Sequence, residues 1–228
     1  MVSAFVCMCV EILRRLVLKN GDIWFWRLYD IVGEKNINVS ESYDGDIDLF
    51  HFGTSGCDPS YPPYYTGPNY RKNDIDNTEY DWGIFNKISN GGNRVGMWRT
   101  LREKEWGYLI DNNINARVLL DTIKGLILLP VNFQYPDNVE TISKGATYSV
   151  NYYTINEWKL FETNGAVFLP LAGERYENDN LCNANKYGYY WSTDIYYALK
   201  ISEDGCSVSR DNYNAYYAYS VRLVCDIK

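Results

Sequence analysis

The run Gly125-Leu126-Ile127-Leu128-Leu129-Pro130 constrains this chain more than any other stretch. Leu126 to Leu129 is apolar at every position, so a strand made from it needs cover on both faces and belongs at the centre of a core. The segment before it, "ARVLLDTIKG", reads as a partner strand joined through a turn at Asp121 to Gly125. Helical patterns lie on either side. In "WRTLREKEWGYLIDN", Thr100 is placed to cap a helix and Glu103 to complete a capping box, with Leu101, Trp106, Leu109 and Ile110 on one face. In "TINEWKLFETNGAVFLPLAG", Thr154 and Glu157 repeat the box, Gly165 stops the helix, and an apolar strand follows. A further short helix is expected from Trp82 to Ile88, ended by Asn90-Gly91-Gly92.

The rest is loop and strand. Residues 22–33 are short, aromatic and strand-like, and 36–80 read as a long ordered loop. From Tyr187 onward come "YGYYWSTDIYYALKIS", "CSVSR" and "YSVRLVCD", three short strands, the last alternating between Ser220 and Val224. This order predicts an α+β fold with two short helices, small antiparallel sheets and long ordered loops. One domain is expected at 21–228, after an irregular or helical extension at 1–20. Trp82, Trp98, Trp106, Leu128, Phe168, Trp191, Val221 and Leu223 are the expected core.

Charge and composition exclude several functions. A net charge of −7 argues against nucleic acid. The apolar run from Val2 to Val10 is broken by Glu11 and precedes its arginines. That order is the reverse of a signal peptide, and the run is too short for a membrane span. His51 is the only histidine and has no evident triad partner. Asp44, Asp46 and Asp48 begin like a calcium loop, but Leu49 stands where Gly is required and Ser55 where Glu is required. The six Cys include no CxxC pair and are expected as free buried thiols, with pairing among Cys182, Cys206 and Cys225 the alternative in an exported chain. Gly91 to Gly96 reads as a helix exit and not as a phosphate loop. No cofactor and no metal is expected.

Several strings in order carry a resemblance: "DLFHFGTSG", "YDWGIFNKISNGGN", "GMWRTLREKEWGYL", "GLILLP", "AVFLPLAGERY", "YGYYWSTD" and "YSVRLV". From about Ile23 to Asp226 the chain resembles the Fibrobacter succinogenes major paralogous domain family of gut Bacteroidales. That family is similar to formylglycine-generating enzymes and shares their C-type-lectin-like fold. The resemblance implies that fold here, and a place at the cell surface or outside the cell. Members of the fold also serve as variable proteins of diversity-generating retroelements, which display Tyr, Asn, Asp, Ser and Ala on one face. Thirteen of the 22 Tyr follow residue 147, and "TDIYYA" and "RDNYNAYYAY" have that composition.

The expected contact residues are Tyr189, Asp194, Tyr196, Tyr197, Ser209, Asp211, Asn212, Tyr213, Asn214, Tyr216, Tyr217 and Tyr219. Tyr gives rigid contact area with a polar tip, and Asn and Asp add short hydrogen-bonding groups. The ligand expected is a protein or a cell-surface polymer, because the residues spread along two segments. Arg222, alternating with Val221 and Leu223, is expected to be structural and to meet a carboxylate or carbonyl groups. Two other readings follow from the same resemblance. One is a sulfatase-modifying enzyme of the formylglycine-generating type, although the surroundings of Cys206 and Cys225 do not match that active site. The other is a structural cell-surface domain.

Overall fold

The computed structural model describes residues 49–61, 73–87, 94–112, 114–176, 180–210 and 217–226, together with three short strands near the N-terminus. These are β1 (Val6–Cys7), β2 (Val17–Lys19) and β3 (Asp22–Trp24). β1 pairs with the C-terminal strand and β2 with β3, so these parts of 1–20 are extended and not helical. Asp44, Asp46, Asp48 and Gly91 to Asn93 lie outside the described residues.

β4 (Phe50–His51) leads, by way of a loop, to a single helical turn, α1 (Trp82–Phe85). The buried carboxylate of Asp81 explains that turn: its Oδ1 accepts from the Gly83 N–H at 2.9 Å. The same carboxylate accepts from the N–H and the hydroxyl of Thr100, each at 2.9 Å. Thr100 is thereby drawn into β5 (Arg99–Thr100), and the capping box expected there does not form. α2 (Glu103–Asn112) starts instead on the Asp194 carboxylate, which accepts from the Glu103 N–H at 2.7 Å. Glu105 also takes part, accepting from the Arg102 N–H at 2.9 Å while pairing with Arg99.

β6 (Ile114–Leu120) and β7 (Ile123–Leu129) form an antiparallel pair around Asp121 and Thr122. β8 (Tyr152–Tyr153) runs parallel to β6, and α3 (Ile155–Thr163) follows with the Thr154–Glu157 capping box in place. Gly165, at φ +91°, ends that helix. β9 (Val167–Pro170) then lies on the other side of β7, giving the order β8-β6-β7-β9. Gly125 is dictated by this packing, since a Cβ there would stand 2.2 Å from the Phe168 ring. Leu126 to Leu129 are all buried, as a strand apolar on both faces demands.

The remaining strands are β10 (Glu174–Tyr176), β11 (Asn180–Cys182), β12 (Gly188–Trp191), β13 (Tyr197–Ser202), β14 (Gly205–Arg210), β15 (Tyr217–Tyr219) and β16 (Leu223–Asp226). They build the sheets β12-β13-β14, β11-β10-β15-β4 and β1-β16-β5. The stretch expected as one strand from Tyr187 is broken in two by the turn at Ser192–Tyr196. Bridges from Gly173 to Gly188 and from Tyr190 to Ser220 link the first two of these sheets.

The fold is therefore mixed α+β, with few short helices and several small sheets. Among the described residues there are three helices, the two longer ones and the short helix expected from Trp82, which is a single turn supported by Asp81. All eight expected core residues are buried. They divide between two clusters. One is largely aliphatic around β7, and the other is aromatic around Trp82, Trp98, Trp191 and Tyr219.

Candidate ligand-binding face

The turn between β12 and β13 is held by hydrogen bonds from all sides. The Ser192 hydroxyl meets the carbonyls of Asp194 and Tyr197 at 3.0 and 2.9 Å. The Thr193 N–H donates to the Leu101 carbonyl, and the Thr193 carbonyl accepts from Ile75, both at 2.9 Å. The Ile195 N–H donates to Asp74 at 2.8 Å. This frame holds Tyr196 at φ +68°, in the left-handed region. For a non-glycine residue that conformation costs about 1–2 kcal/mol, so the frame over-determines it. The Arg210 guanidinium stands 5.5 Å over the Tyr196 ring, at the far end of β14.

The hairpin β13–β14 is pinned at its other end. Arg117 donates to the carbonyls of Glu203 and Gly145. Lys124 pairs with the Glu203 carboxylate, and that pair holds the carboxyl below its ordinary range. The Tyr148 hydroxyl reaches the Ser202 carbonyl, and burial pushes its pKa up to about 12. Along the hairpin, Lys200 sits 5.1 Å over Tyr187 and 5.8 Å over Tyr189.

Tyrosines continue across the next sheet. Tyr189 stacks on Tyr219 at 4.7 Å, and Tyr217 stacks on Tyr176 at 4.5 Å. Trp191 lies 4.4 Å from Tyr219. The expected contact residues are thus spread over different depths. Ser209 is exposed, and Tyr196, Tyr197 and Tyr217 are half-buried. Tyr189 and Tyr219 are corrections, being 7% and 0% exposed. They form the floor of the candidate face and offer little or no side-chain area to a partner, because both pack into the aromatic cluster. Asp194 is also reassigned, since its carboxylate is the cap of α2. Asp211, Asn212, Tyr213, Asn214 and Tyr216 lie outside the described residues. Arg210, Lys200, Tyr187 and Tyr176 were missed. Their signal was a cation or aromatic directly flanking the tyrosine-rich strings.

Other candidate chemistry resolves into structure. His51 is buried on β4 opposite Ala218. Arg222 is half-buried between β15 and β16. Desolvation pulls it down to about 10, while Tyr190 and the Glu162 carboxylate favour its charge. Cys182 and Cys206 are free, half-buried thiols. Burial pushes the Cys206 thiol up, away from the thiolate that a nucleophile needs. Among the described residues no group of three or more His, Cys, Asp and Glu could hold a metal, and no helix is long and apolar enough to cross a membrane. No family model, no curated protein and no solved structure matches this chain.

Proposed function

We propose that this chain is a non-catalytic ligand-binding protein of C-type-lectin-like fold. In this reading it is the diversified target protein of a diversity-generating retroelement, with a protein or cell-surface polymer as its ligand. One observation carries the reading. Tyr196 is held in a costly backbone conformation under Arg210, at the root of the segment 211–216, by a turn whose hydrogen bonds leave it no alternative. Strain of this kind is kept where a side chain must be shown and not merely packed. The contact set is then Tyr196, Tyr197, Ser209, Arg210 and Tyr217, with Asp211, Asn212, Tyr213, Asn214 and Tyr216 between the last two.

The test is to sequence this locus in many isolates. The reading expects substitutions gathered at 196–197 and 209–217, with Tyr189, Asp194 and Tyr219 constant. Changes scattered evenly over exposed positions would refute it. A parallel test is the combined substitution of Tyr196, Tyr213 and Tyr216 by Ala. It should remove partner capture and lower stability by less than about 2 kcal/mol, as surface positions do.

A further inference from the structure

Among the described residues β14 is an edge strand, with α2 packed against one of its faces. The Ser192 N–H donates to the Tyr197 carbonyl, so the odd-numbered residues of β13 direct their backbone groups toward β12. The even-numbered residues therefore face β14. With Lys200 opposite Ser207 and Ala198 opposite Ser209, the backbone groups of Gly205, Ser207 and Ser209 are used within the hairpin. Those of Cys206, Val208 and Arg210 point outward, and among the described residues no backbone hydrogen bond reaches them. Natural edges of this length are blunted by proline, by inward charge or by a covering element. β14 has no proline, and its only charge is the terminal Arg210.

We propose that β14 pairs with β14 of a second copy of this chain, antiparallel, about a two-fold axis at Ser207. The strand is self-complementary in that register. Ser207 faces Ser207, Cys206 faces Val208, and Arg210 faces Asp204, each of the last two contacts occurring twice by symmetry. Arg210 ends the strand and Asp204 lies in the turn just before it, both exposed, so antiparallel pairing sets cation against anion at both ends. The register also matches the backbone. Cys206 and Val208 are both even-numbered, so their outward N–H and C=O groups meet one another and make roughly four hydrogen bonds, while Asp204, whose N–H already donates to the Ser202 hydroxyl, contributes its side chain alone. Shifting the axis to Val208 would set Arg210 against Cys206 and lose the charge match. The two hairpins then form one sheet across the axis, with two copies of the Tyr196 turn on a single particle. The identity of the ligand does not enter this inference, but Arg210 serves both the dimer contact and the proposed contact set, so association is read without ligand.

Sedimentation equilibrium of the full chain should show a weak dimer, with a dissociation constant on the order of 10 μM, as small interfaces give. Arg210→Asp places like charges at both ends and should weaken the dimer about tenfold, and Asp204→Arg combined with Arg210→Asp should restore it. Val208→Pro removes an outward N–H from an edge position that tolerates proline, and should leave a folded monomer by circular dichroism. Ser207→Cys should cross-link to itself in oxidised glutathione, each new disulfide forming as two glutathione thiols are released, because residues facing on the axis lie within disulfide reach. A monomer up to about 200 μM, some twenty times the expected constant, would sink the proposal. So would a dimer unmoved by Arg210→Asp and not rescued by the exchanged pair.

Discussion

The two halves of the core solve the same problem with different materials. Around β7 the cluster is mostly Leu, Ile and Val, closed by Trp106, Trp158 and Phe161, and it hides both faces of its central strand. Around β12 and β15 the cluster is built of Tyr, Trp and Phe stacked in series. Aliphatic side chains pack without direction, so the first half can be sealed completely. Tyrosine has a polar end that wants water or a partner, so the second half grades from buried Tyr219 to half-buried Tyr217 within one short strand. A core made of tyrosine becomes a surface made of tyrosine without a change of material, and binding residues can be added at its margin.

The largest test of this contrast is Trp106→Ala. Trp106 is fully buried, and its indole N–H donates to the Trp191 carbonyl at 3.2 Å, joining the two halves. The substitution should cost about 3–5 kcal/mol by urea denaturation. A loss under about 1 kcal/mol would show that the halves are not coupled there.

Next is Asp81. Asp81→Ala leaves the Gly83 and Thr100 donors unmet in a buried site and should cost about 2–4 kcal/mol. Its charge gives a pH signature as well. Desolvation raises the folded pKa above the unfolded 3.8, so the folded state holds the proton more tightly. The contribution of Asp81 is therefore most favourable below 3.8 and declines as pH rises through the folded pKa. Asp81→Asn keeps the Oδ1 contacts and removes the charge, so from about pH 4 to 7 the difference between variant and wild type should shift in the variant's favour. A constant difference across that range would contradict the burial cause.

Stacked tyrosines should show smaller coupling. A double-mutant cycle between Tyr176 and Tyr217 should give about 0.5–1.5 kcal/mol. Zero coupling would mean that the pair only shares a neighbourhood. Smallest of all is Tyr196→Gly. Relief of the left-handed strain should offset the lost cation–π contact, leaving stability within about 1 kcal/mol of wild type. Partner capture, in contrast, should fall. Retained capture would remove Tyr196 from the face.

The first half of the molecule was the readable one, for a local reason. The Thr154–Glu157 box, the Gly165 stop and the unbroken run of Leu126 to Leu129 all act within a few residues of themselves. The second half depends on contacts made from far away. Thr100 looked like a cap because Glu103 follows it, but Asp81 claimed its hydroxyl and Asp194 claimed the helix. Asp194 lies 91 residues from the N–H it receives, a relation that no local pattern displays. Tyr189, Tyr217 and Tyr219 are chemically identical in sequence. Their separation into floor and margin comes from which strand lies opposite, which is fixed only when β10, β12 and β15 meet. The composition of the face could be read, but its depth could not.

Asp194 has one further consequence. It sits among the proposed contact residues, three positions from Tyr197 and two from Tyr196, yet it holds the start of a helix on the other side of the loop. A mutational process that rewrites this neighbourhood without foresight would strike Asp194 as often as its neighbours. Most replacements would unfasten α2, and only Asn, Ser or Thr could still accept that N–H. Purifying selection would then write an island of constancy inside a variable tract. Under the proposed diversification, the border of variation at this turn is drawn by a hydrogen bond and not by exposure to solvent.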